Sequence, residues 1–335
     1  MKVILLVNLG SPNELSVSSI RLFLRRFLSD KRVISLPRIL WYPILYGIIL
    51  PIRAKRLLKQ YQDIWLNAAS PLVYYTRVQQ EKLQLKFTDD TVVAYAFSYA
   101  KPDVSEVLGS LHSKYTIDKL TVLPLYPQFS STTTAAVFDQ LSNSYSKKKY
   151  LPKFNFIRDF HDNIHYIEAV AKSIAEYFAI HGKPQQLIFS YHSLPEKIIK
   201  SGDVYYEQCL ASSSLIAHQL NLTKDEYRIT FQSKFGAGKW ISPSTAKTMA
   251  LLPKSGIKNI AVVCPGFISD CLETLEEIEV TNRKIFMNKG GDKYNYIPCL
   301  NDHDLCIDLL HQLVTAQPIS LIAASYATSR NAHVL

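Results

Sequence analysis

Three side chains in this sequence have types and spacing that suit proton transfer. His192 lies in Ser190-Tyr191-His192-Ser193-Leu194-Pro195, directly after an apolar run and ahead of a helix-forming segment. An imidazole placed there faces a cleft and not a core. A histidine standing alone is more often structural, so its company decides. Further along, Asp270-Cys271-Leu272-Glu273-Thr274-Leu275-Glu276-Glu277-Ile278-Glu279 opens a helical stretch with acid in its first turn. Acid at a helix N-terminus is favoured by the macrodipole, and capping accounts for Asp270, the expected N-cap. It accounts less well for Glu273 and Glu277, which lie four apart on one helix face with Phe267 and Leu275 nearby. Two carboxylates one turn apart can hand protons along a path.

The elements that must position these groups follow from hydrophobic patterning. Apolar runs of strand length alternate with helix-period segments along almost the whole chain, the pattern of parallel βαβ units covered by helices on both faces. Eight strands are predicted: 3–7, 92–97, 120–125, 154–157, 186–190, 228–232, 259–264 and 294–298. Helices are predicted between them, including 105–114, 133–143, 164–179, 205–220, 244–252 and 271–287. Four strands fall on each side of about Asp159, so the expectation is two similar Rossmann-like α/β domains, residues 1–158 and 159–300, each with a four-stranded parallel sheet. A helix in 301–316 should pack back on the first domain, and the tail 317–335 has no assigned role. Open parallel sheets bind ligands at the carboxyl ends of their strands. The ends of the first, third, fifth and seventh strands carry Asn8–Pro12, Leu125–Thr132, Ser190–Pro195 and Cys264–Asp270, and together they are expected to line one cleft.

The net charge of +10 is unevenly spread. Between Arg21 and Lys59 lie Arg21, Arg25, Arg26, Lys31, Arg32, Arg38, Arg53, Lys55, Arg56 and Lys59 against the single acid Asp30. Inside that stretch runs Ile39–Ile52, ILWYPILYGIILPI, without a charge. A bilayer span needs about 20 apolar residues, and Pro43 and Pro51 interrupt this one. It reads as an amphipathic lip beside a pocket or a contact with an anionic membrane surface; a buried helix pair with solvated flanking cations is the plain alternative. The cations surround an apolar segment and not interleaved exposed aromatics, which argues against a nucleic-acid partner.

The first residues read as a strand and not as a signal peptide. Five cysteines, Cys209, Cys264, Cys271, Cys299 and Cys306, form no CxxC pair and are expected as reduced thiols in the cytoplasm. Gly10 stands without a GxGxxG, and Phe235–Trp240 lacks the glycine spacing and the Ser or Thr of a phosphate loop. GxSxG is absent as well.

The motifs NLGSP, FLRRFLSDKRVISLP, ASPL, LPLYPQFSSTTT, FSYHSLP, YRITFQSKFG, CPGFISDCLETLEEI and GGDKYNYIPCLN run through nearly the full chain. In them the sequence resembles the ferrochelatases, lyases that insert ferrous iron into a porphyrin to make haem, and the resemblance implies the chelatase-like form of the two-domain fold. It implies that His192 and Glu273 face one another across the porphyrin. An imidazole and a carboxylate can both ligate Fe²⁺ and accept protons. The reading favours His192 as first proton acceptor and iron contact, with Glu273 and then Glu277 moving protons outward.

The resemblance also assigns porphyrin contacts to Arg53, Tyr61 and Ser70, and apolar surface near the macrocycle to Leu9, Phe267 and Trp240. Iron enters as substrate, no cofactor is tightly bound, and no iron–sulfur cluster is expected, because Ser131 stands where cluster-bearing members have a cysteine. Ser98 stands where many members have an arginine, and Ala69 replaces a usual glycine. The expected partners are porphyrin, ferrous iron and peripherally an anionic membrane, placing the protein in the cytoplasm or on the inner face of the membrane. The apolar lip leans toward protoporphyrin over coproporphyrin. A chelatase for another metal and a porphyrin carrier without turnover are the competing readings.

Overall fold

The computed structural model describes residues 1–316 except Asn67 and Ala237; the expected tail 317–335 lies outside the described residues. The first half contains β1 (Lys2–Asn8), α1 (Val17–Leu28), α2 (Arg38–Ile44), α3 (Leu50–Ile64), α4 (Pro71–Gln84), β2 (Thr91–Phe97), α5 (Val104–Lys114), β3 (Lys119–Pro124), α6 (Thr134–Tyr145) and β4 (Lys153–Phe156). The second contains α7 (Ile164–His181), β5 (Gln186–His192), α8 (Glu196–Lys200), α9 (Tyr205–Gln219), β6 (Tyr227–Gln232), α10 (Thr245–Leu251), β7 (Asn259–Val263), α11 (Arg283–Asn288), β8 (Lys293–Tyr296) and α12 (Asp304–Thr315). Two four-stranded sheets result, ordered β2-β1-β3-β4 and β6-β5-β7-β8, with every pairing parallel. The same strand permutation in both halves is the duplicated Rossmann-like arrangement expected from the pattern, in the chelatase-like form that the resemblance implies.

Central strands are apolar on both faces because helices cover both. Val3, Ile4, Leu5, Leu6 and Val7 of β1 are all buried, as are Leu187, Ile188 and Phe189 of β5. The loop after β1 turns through Gly10 at φ +86°, where a Cβ would lie 2.6 Å from the Ala100 Cβ, so only glycine fits.

The halves are joined by buried polar contacts, each of which must be satisfied away from water. Gln79 of α4 donates from Nε2 to Ser269 Oγ at 3.0 Å and to the Asn301 carbonyl at 2.6 Å. Gln128, after β3, donates to Ser212 Oγ at 2.9 Å. Asp203 accepts from the Ser131 N–H at 2.6 Å and Ser130 Oγ at 3.1 Å. Helix α12 packs against both α4 and α7, with Lys82–Asp302 and Lys86–Asp308 ion pairs at its first-half contact.

The apolar stretch 39–52 is helical but not uniform. A π-helical turn, Leu45–Ile49, joins α2 to α3, with Pro43 inside α2 and Pro51 opening α3. Trp41 and Leu45 are buried, and the Trp41 indole N–H donates to the Leu28 carbonyl at 2.7 Å, fastening the segment to α1. Ile39, Leu40, Ile44, Tyr46, Ile48 and Ile52 remain exposed, Ile39 to 83% and Ile52 to 67%. No described helix is long and apolar enough to cross a membrane.

Candidate active site

Strand β5 delivers His192 to the carboxyl edge of the second sheet, half-buried where the strand's apolar residues end. Its Nδ1 lies 2.7 Å from the Ser193 carbonyl oxygen. A carbonyl only accepts, so Nδ1 donates, and in the neutral ring the free lone pair is on Nε2. Ser193 is itself fixed: its N–H donates to the Gln232 carbonyl at 2.8 Å and its hydroxyl to the Ile241 carbonyl at 3.2 Å.

Glu273 and Glu277 do not lie on an ordinary α-helix. Residues Glu273–Asn282 form a π-helix that passes into α11. Hydrogen bonding from i to i+5 lengthens the turn, so residues four apart fall just short of one turn and still share a face. The expected continuous α-helix 271–287 is corrected in this respect. The Asp270 expectation is corrected too. Its carboxylate caps no helix N–H; Oδ1 accepts from Thr274 Oγ1 at 2.8 Å and from the Tyr296 hydroxyl at 2.5 Å, and Oδ2 from Asn301 Nδ2 at 2.6 Å. Asp270 is buried and fully engaged in holding the start of the π-helix against β8 and the loop before α12.

Gln232 and Ser233, at the end of β6, tie histidine and glutamates together. Gln232 pairs with His192 in strand register, and its Nε2 donates to the Glu273 carbonyl at 2.7 Å. Ser233 donates to Glu277 from its backbone N–H at 2.8 Å and from its hydroxyl at 2.5 Å, one donor to each carboxylate oxygen. Burial raises the Glu277 carboxyl above its ordinary value; the Ser233 donors and then His192 work in the opposite direction, and Glu273 adds to the rise.

Arg53 and Tyr61 come from α3. Burial lowers the Arg53 guanidinium against the pull of Glu273, and burial followed by Glu273 holds the Tyr61 hydroxyl well above its ordinary value. Glu273 acts on both groups through its charge, and α3 packs against the π-helix that carries it. Leu9, Phe235, Leu272 and Leu275 pack against the buried cluster that contains Tyr61, so residues from both halves form one apolar wall. Phe267 is half-buried and packs against the cluster of Leu72, Phe97, Ala100 and Cys271. Trp240 is half-buried beside Pro195 through an antiparallel bridge, with its indole N–H unpaired among the described residues. Ser70 is buried; its hydroxyl caps α4, accepting from the Val73 N–H, and bonds to Ser11 Oγ.

His192, Glu273 and Glu277 are thus linked through the end of β6, and α3, which carries Arg53 and Tyr61, packs against the π-helix beside Leu9, while Ser70 and Asp270 are buried and hydrogen-bonded to Ser11 and to Thr274, Tyr296 and Asn301. A cavity of about 470 Å³ lies elsewhere, between α4, α7 and residues 297–304, and none of the candidate residues lines it. Sequence reasoning missed Gln232, Ser233 and Phe235, although all three stand in the YRITFQSKFG motif. The signal available was the polar pair Gln232-Ser233 at the carboxyl end of a predicted strand.

Residues 2–317 match the family described as Ferrochelatase. Ferrochelatase 2 of Shewanella oneidensis is 46% identical over 314 residues, covering 93% of this chain and 96% of that protein. The ferrochelatase of Vibrio cholerae is 43% identical over 311 residues, with 93% and 96% covered. Among solved structures, SirB from Bacillus subtilis with Fe³⁺ aligns with a TM-score of 0.55 at 12% identity, covering 94% of this chain and 96% of that one, a likeness of fold alone. With the family match running from residue 2 to 317 and relatives at 46% and 43% identity over nearly their whole length, the chain belongs to the ferrochelatase family.

Proposed function

We propose that the chain inserts ferrous iron into protoporphyrin, exchanging the metal for the two pyrrole N–H protons and releasing both. The observation that carries this reading is the state of His192: with Nδ1 committed to the Ser193 carbonyl, a basic Nε2 is left in the electrostatic company of Glu277 and Glu273. The one free lone pair of His192, on Nε2, takes the first pyrrole proton and, once the glutamates have carried that proton off, touches the iron. Glu273 contacts the metal from the π-helix and accepts a proton, and Glu277 passes protons outward. Two side-chain ligands are fewer than the three or four with which proteins retain zinc, which suits an ion that leaves with its product. Iron is thus substrate and not a resident cofactor.

Arg53 and Tyr61 lie where a propionate and the macrocycle edge would meet α3, and Leu9, Phe267 and Trp240 supply apolar surface. Ser70 acts through Ser11 and the loop after β1. The exposed side chains of the 39–52 lip, set among cations, dip into an anionic membrane surface from the cytoplasmic side.

An anaerobic assay of Fe²⁺ insertion tests the reading. The expected result is stoichiometric haem from protoporphyrin, with coproporphyrin converted less well. Porphyrin binding without turnover would make the chain a carrier, and turnover with another divalent metal but not Fe²⁺ would make it a different chelatase.

A further inference from the structure

The guanidinium of Arg53 has no ion pair and no hydrogen-bond acceptor among the described residues; its close contact is the ring of Phe235, 4.5 Å from Cζ to the ring centroid. The two residues belong to opposite halves. Arg53 rides on α3 of the lip, and Phe235 follows β6, ahead of Gly236 and Gly238 at φ +71° and +118°. Phe235, from the second half, packs against the first-half cluster that holds Tyr61, Leu50 and Ile64.

A guanidinium lying on an aromatic face satisfies its charge through the ring quadrupole and keeps its N–H fork free in the plane. That matters because Glu273 and Glu277 are both close enough to pull on Arg53. Without the ring, the long side chain would close on one of these carboxylates, which would remove the cation from the ligand and the base from the metal together.

We propose that Phe235 is a positioning residue: its ring holds Arg53 apart from Glu273 and Glu277 and aims its fork at a carboxylate of the incoming porphyrin. The inference rests on the ferrochelatase reading for the identity of that carboxylate, while the Arg53–Phe235 contact stands on the structure.

The test compares Phe235→Ala, Phe235→Leu and Phe235→Tyr with protoporphyrin and its dimethyl ester, following porphyrin binding by fluorescence and Zn²⁺ insertion by absorbance. Alanine and leucine should weaken binding of the free acid and raise its KM by roughly 3- to 30-fold, the range of a partly desolvated cation–π contact. The diester should show a much smaller change, and tyrosine should restore the acid's affinity. In an Arg53→Ala background the Phe235 substitutions should add nothing. Equal losses for acid and diester, additivity with Arg53→Ala, or unchanged affinity for the acid would each overturn the proposal. Failure of the unaltered protein to convert any porphyrin would instead remove the functional reading, and the acid–diester comparison by fluorescence would still decide the role of Phe235.

Discussion

Ser233 grips Glu277 at both carboxylate oxygens, one through its N–H and one through its hydroxyl, from a left-handed backbone at φ +64°. Non-glycine residues enter that region at a cost of about 1 kcal/mol or more. The strained turn directs the donors of the β6 end at the π-helix and fixes one carboxylate of the proposed proton path.

Ser233→Gly separates the hydroxyl from the strain, since glycine accepts the backbone and keeps the N–H. The expected outcome is a kcat for metal insertion lowered by roughly 10-fold, the order of one hydrogen bond to a charged group, with porphyrin affinity little changed. Steady-state kinetics with Zn²⁺ check this. In a Glu277→Gln background the substitution should cost far less, and an undiminished loss there would show that Ser233 acts on something other than Glu277.

Burial raises the Glu277 carboxyl, so the folded protein binds that proton more tightly than the unfolded chain. Stability therefore falls as pH rises from the ordinary carboxylate range through the raised value, and is level above it. Glu277→Gln removes this dependence. Thermal melts across pH 4 to 8 should show the variant gaining on the unaltered protein as pH increases; parallel curves would contradict the burial effect.

Asp270 is buried and accepts from Thr274, Tyr296 and Asn301. In Asp270→Asn an amide N–H₂ would face one of these donors. The loss should be about 1–3 kcal/mol, as for a buried polar group left unpaired, measured as a lower midpoint in urea. Activity per folded molecule should fall as well, because the start of the Glu273 helix loosens.

Much of this architecture was legible in the sequence. All eight strands stand where the patterning placed them, because a strand covered on both faces needs an apolar centre, as residues 3–7 of β1 and 187–189 of β5 provide. The place of His192 at the end of β5 was legible from the apolar run before it, and the shared face of Glu273 and Glu277 from their spacing. The π-helix was not, since hydrophobic periodicity over ten residues does not separate i+4 from i+5 bonding. Nor was the role of Asp270: a carboxylate ahead of a helix reads as a cap, and two of its three donors, Tyr296 and Asn301, are remote in sequence. Ser70 shows the same limit, because its Ser11 partner lies across the first half.

Lys55, Arg56 and Lys59 are exposed on or beside the lip that leaves Ile39 and Ile52 in solvent. Binding to anionic vesicles should fall by roughly 5-fold for each charge removed, on the order of 1 kcal/mol per cation near the surface, and should weaken with salt. Vesicle sedimentation with the neutralised triple variant and with Ile39→Ser/Ile52→Ser checks both contributions. A protein that ignores anionic vesicles at low ionic strength would leave the lip with the pocket alone.

The reacting groups should separate by their distance from the metal. His192→Ala removes the Nε2 lone pair that the Ser193 hydrogen bond exposes, and metal insertion should fall by at least ~10²-fold, the lower range for a lost general base. Porphyrin affinity should be largely kept, because Leu9, Phe267 and the wall around Tyr61 are untouched. Glu273→Gln keeps shape and one acceptor oxygen but loses charge and basicity. A comparable fall there would point to ligation or proton acceptance and not to packing, since the Glu273 contact with Gln232 is made by its backbone carbonyl. Glu277→Gln should cost less, about 10-fold, because water can replace a relay member in part. Single-turnover Fe²⁺ insertion by the three variants, with porphyrin binding followed separately by fluorescence, measures this ordering. Near-normal turnover in His192→Ala would overturn the assignment of the first acceptor, and equal binding losses in all three would mean that these side chains build the pocket and do not act on the metal.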